Sequence, residues 1–406
     1  MFRIAIAVAL FATTVNAYAC PFCGTQGQTL TGEVGQADVI VVGVMKNAKQ
    51  NLEDPGKSTT ELHITTVVKD HPYLNGRKVL VLNRYQPEDP TNPDAKYLIF
   101  AGLYPKVNDV ALAGLVSGVA LANFKDYTFD PYRGDPIGNK GELAVYLKGA
   151  IEVKDKPVTE RLLFYFNHLD AQELTIGADA FLEFGNADYK DVSLLAPKLP
   201  ADKLLAWLND PNTPPSRFGL YGMLLGHSGR KSDAIALRKL LDEPKKLYSS
   251  GIDGMLAGYI ILDPVEGWKY LNELIKDPKK DFQSRYAGLR TLRFFWDFRP
   301  DVIKKAELLD GMKSLMAHTD MADMPIKDLR KRDCLEVTPD VLAFTKQPAY
   351  MNAPIIRRAV VEYLLAASPK NSDAKLYIEE IRKTKPEWVK VAEESLEFDK
   401  DTSTKK

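Results

Sequence analysis

Cys20 and Cys23, in the stretch NAYACPFCGTQGQTL, are two thiols at a C-x-x-C spacing that suits dithiol exchange, metal coordination, lipidation or a local disulfide. A thioredoxin-like dithiol needs a preceding strand and a helix N-terminus that lowers the first thiol's pKa. Here the pair precedes every strand pattern in the chain. A zinc site needs four ligands, and neither a second C-x-x-C nor a nearby H-x-x-x-H supplies them. An oxidised Cys20–Cys23 disulfide that pins the chain end is the favoured reading. So short a loop restrains little unfolded-chain entropy, which puts its stabilisation at the low end for disulfides. Lipidation of Cys20 stands as an alternative: Ala19 suits it, whereas Tyr18 and Ala17 are poor stand-ins for the usual small residue and leucine.

The other reactive side chains are scattered. Cys334, the third cysteine, reads as a buried small apolar residue or an inert thiol in a helical core. His63, His71, His168, His227 and His318 show no H-E-x-x-H or H-x-H spacing and read as surface or satisfied core residues, so no metal and no cofactor is expected. Gly226-His227-Ser228-Gly229 has Arg230 where a nucleophile elbow needs its second glycine and follows a helical pattern, so it reads as a helix closed by glycine. Arg133-Gly134-Asp135 reads as a hydrated turn, Lys327 to Arg332 as the wet face of a helix, and Phe294-Phe295-Trp296-Asp297-Phe298 as core with binding anchors wherever its rings are exposed.

The first residues bear on compartment. Met1-Phe2-Arg3, the apolar run Ile4 to Val15 and Ala17-Tyr18-Ala19 have the charge, length and small-residue pattern of a signal peptide, with cleavage expected after Ala19. The run is too short to span a bilayer. The chain is therefore expected to be periplasmic or extracellular, with envelope attachment if Cys20 is acylated. Apolar residues make up 45% of it, and 54 basic residues balance 54 acidic ones. That composition supplies packed cores and gives no electrostatic reason to bind nucleic acid or an anionic membrane.

Which elements would carry these residues? Ala37 to Val44, Thr60 to Lys69, Lys78 to Leu82 and Lys96 to Ala101 read as strands, the second alternating Leu62, Ile64, Thr66 and Val68 with polar neighbours. Gln86 to Asp94, with three prolines, reads as a loop. Five or so short strands in about 100 residues favour a small closed barrel, because closure removes exposed edges. A connector follows, and from about Gly141 apolar residues recur at helical spacing, as in Arg161 to Phe166 and Ala178 to Phe184.

The helical half repeats itself. Asp210-Pro211 precedes Arg217 to Leu225, Asp277-Pro278 precedes Arg285 to Leu292, and Gly251 to Leu262 and Pro354 to Leu365 look like further copies. Candidate inner helices near 178, 218, 254, 287, 326 and 357 fit helical-hairpin repeats, whose stacking buries faces that one hairpin leaves open. Aspartate before an inner helix would cap it or meet a neighbouring arginine. These features resemble HEAT repeats of the HEAT/armadillo superfamily.

A cysteine at the mature N-terminus, followed by ADVIVVGVM, TTELHITTVVKDHPYLNGRKVLVL and KYLIFAG, resembles the netrin-like OB barrel of tissue inhibitors of metalloproteinases and complement C-terminal domains. Those families begin C-x-C and tie these cysteines to distant ones, whereas here the spacing is C-x-x-C and the distal partners are missing. The resemblance implies the barrel and, through a free amine and carbonyl at Cys20, chelation of a protease's zinc. The pairing of barrel and repeats resembles a family of secreted bacterial proteins. The expected layout is a signal peptide over 1–19, an OB-like barrel over 20–130, a connector over 131–155, a HEAT-like α-solenoid over 156–395 and a disordered tail over 396–406. The expected function is non-enzymatic protein binding or scaffolding; the alternative is metalloprotease inhibition or thiol redox through Cys20 and Cys23.

Overall fold

Valines and isoleucines from Val39 onward build a strand buried on both faces, which places it at the centre of a sheet. The computed structural model describes Phe22 and residues 27–105, 127–137, 141–243 and 251–404; the expected signal peptide, Cys20 and Cys23 lie outside them. The chain divides into two compact units, Met1–Leu195 and Ala196–Lys406.

In the first unit the described strands are β1 (Val39–Lys49), β2 (Thr59–Lys69), β3 (Val79–Leu82), β4 (Lys96–Pro105) and β5 (Tyr127–Ile137). They form an antiparallel sheet in the order β3-β2-β1-β4-β5. Val39, Val41, Leu62, Leu80, Ile99, Leu103 and Phe129 share one core on one face. Ile40, Val42, Leu98 and Phe100 alternate with them and are buried too. The helices are α1 (Leu30–Gln36), α2 (Glu142–Val153), α3 (Val158–Phe166), α4 (Leu174–Asn186) and α5 (Tyr189–Leu195). Of these, α1 packs on β4, and α2 on α1 and β2.

Two expectations change here. Residues 131–137 are not connector but the outer half of β5, in which Arg133 pairs with Phe100, Gly134 with Ile99 and Asp135 with Leu98. Pro131 and Pro136 look like turn signals, yet both sit on an edge strand, where a missing N–H costs no ladder bond. Helices α2 to α5 also belong with the sheet, so the boundary lies at 195 rather than 155.

The second unit is helical: α6 (Ala201–Asn209), α7 (Phe218–Ser228), α8 (Ala234–Asp242), α9 (Ile252–Leu262), α10 (Pro264–Lys276), α11 (Phe282–Phe298), α12 (Lys305–Met316), α13 (Asp323–Lys331), α14 (Thr338–Phe344), α15 (Pro348–Met351), α16 (Pro354–Ala367), α17 (Ser372–Thr384) and α18 (Pro386–Thr404). Helices cover the expected inner positions near 218, 254, 287, 326 and 357, and the sixth, near 178, is α4 of the first unit. The last helix runs to Thr404 where a disordered tail was expected, anchored by buried Val389 and Ala392.

Helices α7 and α9 touch backbone to backbone. A Cβ on Gly226 would stand 2.6 Å from Gly258 Cα, one on Gly222 2.8 Å from Met255 Cα, and Cβ atoms on Gly254 or Gly258 would collide with the carbonyls of Gly219 and Gly222. Farther along, buried acids on inner helices meet arginines of the neighbouring inner helix: Arg290 pairs with Asp253 at 2.7 Å, Arg293 with Asp328 at 2.6 Å, and Arg330 with Glu362 at 3.7 Å. Lys327 to Arg332 is therefore not simply a wet face. Arg330 and Arg332 are largely covered, because Glu362, Asp399, Asp297 and Asp328 surround them.

Asp210 and Asp277 neither cap inner helices nor meet arginines. Each accepts from a backbone N–H two residues on, at Asn212 and Lys279, and so closes the turn between helices. The cap of α11 is Asp281, which accepts from Ser284 N at 2.8 Å. Arg285 and Arg357 reach back to carbonyls of the preceding turn, at Lys280 and Met351. Phe294 and Phe295 are core, while Trp296 is half-buried between Lys305 and Arg332.

Gly258→Ala should lower unfolding stability by about 3 kcal/mol, since the added methyl must push two helices apart. Gly35→Ala in α1, where nothing lies within 4 Å, should be neutral or slightly stabilising. Urea midpoints of the two variants check this contrast.

His227, near the end of α7, is lowered to about 4 by burial and then by Arg299, against a weaker opposing effect of Asp301. A folded value below the ordinary 6.5 means that the unfolded chain protonates first. Stability is then full above pH 6.5 and falls as pH drops toward 4, by about 3 kcal/mol. His227→Gln should flatten that part of a melting-temperature profile; a profile parallel to the wild type would refute the assignment.

Candidate functional site

A seven-residue helix is marginal in water, so something must hold α1 in place. Thr29 caps it internally, accepting from Gly32 N at 2.8 Å. At its start, Asp179 of α4 accepts from Leu30 N at 2.6 Å, from Thr31 Oγ1 at 2.8 Å and from Tyr146 Oη of α2 at 2.8 Å. At its end, Lys69 of β2 donates from Nζ to the carbonyls of Val34 and Ala37. Acid at the N-terminus and base at the C-terminus both oppose the helix dipole favourably. Upstream, Asn186 and Gly27 exchange two hydrogen bonds, at 3.2 and 2.8 Å.

The cluster under this segment is poorly solvated. Burial, and then Asp179, push the Tyr146 hydroxyl far above the ordinary tyrosine range; burial and then Glu183 do the same to Tyr165. Glu183 is raised by burial, which outweighs its hydrogen bond with Thr29. Lys69 is lowered, first by burial and then by Lys154.

Beside α1 opens a cleft of 580 Å³ between β5 and the starts of α2 and α4, with Leu30, Leu143 and Ile137 as apolar wall. Arg133 lines it and bonds Glu33 of α1 and Asp135, both at 2.6 Å. Burial lowers the pKa of this guanidinium, but its hydrogen bonds and charge pairing with Glu33 and Asp135 outweigh that and raise it. Arg133-Gly134-Asp135 is thus a strand segment whose charges face each other, not a hydrated turn. A second cavity of 410 Å³ shares Glu142 and Gln172 with the first and contains His168. The His168 ring packs on Tyr146 and Phe164, and its Nδ1 lies 2.8 Å from Phe164 O. A carbonyl can only accept, so Nδ1 carries hydrogen, and in that tautomer Nε2 is the acceptor.

Cys334 is buried, burial raises its thiol pKa, and its Sγ lies 3.6 Å from Arg332 O. Ser228 Oγ donates to Leu224 O within α7, and Gly229 N closes that helix on Leu225 O. The remaining histidines are apart: His63 meets Glu61, His71 accepts from Tyr73 N, and His318 meets Ile275 O. Among the described residues no group of three or more His, Cys, Asp or Glu could hold a metal ion, and no helix is long and apolar enough to cross a membrane. Asp179 and Glu183 went unrecognised in the sequence, although their i and i+4 spacing amid the apolar residues of ADAFLEFG was a visible signal, and Arg133 was noticed only as part of a hydrated turn. Comparison with protein-family models, with curated proteins and with solved structures finds no match.

The arrangement can hold a ligand in a partly apolar, charged recess, and its buried tyrosines, too weakly acidic to ionise near neutral pH, act as hydrogen-bond donors. Asp179→Ala would orphan three donors and should cost about 3 kcal/mol of stability. It should also speed hydrogen exchange at Leu30. Asn186→Ala, at an exposed position, should cost under about 1 kcal/mol; hydrogen-exchange mass spectrometry over 27–36 separates the two.

Proposed function

We propose that this chain is an exported, non-enzymatic protein-binding or scaffolding protein, in which a netrin-like OB barrel precedes HEAT-like repeats. The strand order supports the barrel. A sheet β3-β2-β1-β4-β5 has β3 and β5 as its edges, and Arg84, just past β3, donates to Pro131 O of β5 across that seam. A partly open five-stranded Greek-key barrel is the OB form.

The function rests on one observation: α7, α9, α11, α13 and α16 succeed one another through glycine contact and arginine–acid pairs. An array built from neighbour contacts presents a long surface, which is what such arrays use for recognition. Ile235, Val265 and Leu376 stand out from it as exposed apolar contact points. Equal numbers of acids and bases give the chain no net positive charge to draw nucleic acid.

The second reading, an inhibitor acting through the Cys20 terminus, is favoured by the docking of Gly27 to Thr31 on α4. Preorganisation of this kind supplies much of an inhibitor's affinity, here with hydrogen bonds in place of the absent distal disulfides.

Crosslinking mass spectrometry in the native periplasmic or extracellular fraction should give one reproducible partner with crosslinks on residues 196–404. Capture should survive the Cys20→Ser/Cys23→Ser double variant and be lost on charge reversal across the helical surface. Loss in the double variant instead would transfer the function to the terminus.

A further inference from the structure

We propose that the two adjoining cavities of the first unit bind an organic cation with an aliphatic stem, its ammonium group seated at Glu142. The cavities adjoin at Glu142 and Gln172, which line both, and in the proposed complex one elongated ligand lies across them. Their charge is unbalanced. Arg133 is the cation on the wall of the larger cleft, and it is already shared by Glu33 and Asp135. Glu142 and Glu173 add two further carboxylates to the same wall.

Glu33, behind the wall and outside both linings, holds Arg133 through Oε1 and so keeps that guanidinium occupied. Glu173 uses Oε2 to cap α4 at Ile176 N and leaves Oε1 over. An incoming anion would meet repulsion from Glu142 and Glu173, whereas an ammonium finds acceptors there without displacing the Arg133 pairs.

The rest of the lining suits a methylene stem. Leu30, Leu143 and Ile137 flank the larger cleft, and Val145 and Ile176 the smaller one. At the far end His168 offers Nε2 as acceptor, its tautomer fixed by Phe164 O. Acceptors at both ends of an apolar trough match an alkylammonium with a second donor some methylenes away. A free polyamine and a lysine side chain of a polypeptide share that chemistry.

Isothermal titration of the full-length chain with 1,5-diaminopentane, with spermidine and with a lysine-centred pentapeptide distinguishes these sources. At least one should bind with a dissociation constant below about 1 mM, weaken on raising salt, and lose about tenfold in affinity in Glu142→Gln, whose urea midpoint stays unchanged. Glu173→Gln, which keeps the cap on α4, should weaken binding in the same direction. Binding of the amines alone assigns a free polyamine, and binding of the peptide alone assigns lysine. The inference is overturned if none of the three binds, if 1,5-pentanediol binds as well as the diamine, or if both glutamine variants bind like the wild type. It is independent of partner capture by residues 196–404, so either can fail alone.

Discussion

The first unit depends on the burial of one carboxylate, that of Asp179. It gathers donors from two separate elements, Leu30 and Thr31 of α1 and Tyr146 of α2, onto a residue of α4. Two turns of helix cannot nucleate and persist on propensity alone, so α1 exists as a consequence of that contact and of Lys69 at its other end. Once α1 is fixed, Glu33 is in position to pair with Arg133, and the wall of the cleft follows. A buried carboxylate left without its donors would be costly, so the cluster forms as a whole or not at all.

In the second unit two devices set the spacing of the inner helices. Between α7 and α9 the distance is steric: glycines at 219, 222, 226, 254 and 258 leave backbone against backbone, and larger residues do not fit. From α9 onward the acids Asp253, Asp328 and Glu362 are each nearly covered and each matched to an arginine of a neighbouring helix. Buried pairs of this kind add little net stability over apolar packing, but breaking one strands a charge. A helix displaced by one turn would leave both partners unpaired, so the pairs fix register more than they add stability.

Much of this was legible along the chain. Strands β1 to β4, the proline-rich loop and the order of helices follow from period and turn residues, because each of those signals is local. What escaped is tertiary. Pro131 and Pro136 read as turn formers until β5 is known to be an edge. Arg330 and Arg332 read as solvated until Glu362 and Asp297 are brought beside them. Helix α1 carries no periodic pattern of any length; beyond its Thr29 cap, partners more than 30 residues away specify it. Asp179 was visible as an acid in an apolar helix, but its role needs the segment it holds.

A chain with 54 basic and 54 acidic residues has no net field to exploit, so any electrostatic selectivity must arise from local imbalance. The two units treat that differently. Along the inner helices, acids and bases alternate between neighbours and cancel at contact distance, which leaves packing and apolar contacts to define the outward surface. Around α1 the cancellation is incomplete: one guanidinium serves two carboxylates, and the exposed Glu142 and half-buried Glu173 stand nearby on the wall of the cleft. The wall of that cleft is thus a place in the described first unit where carboxylates stand beside an arginine that is already shared.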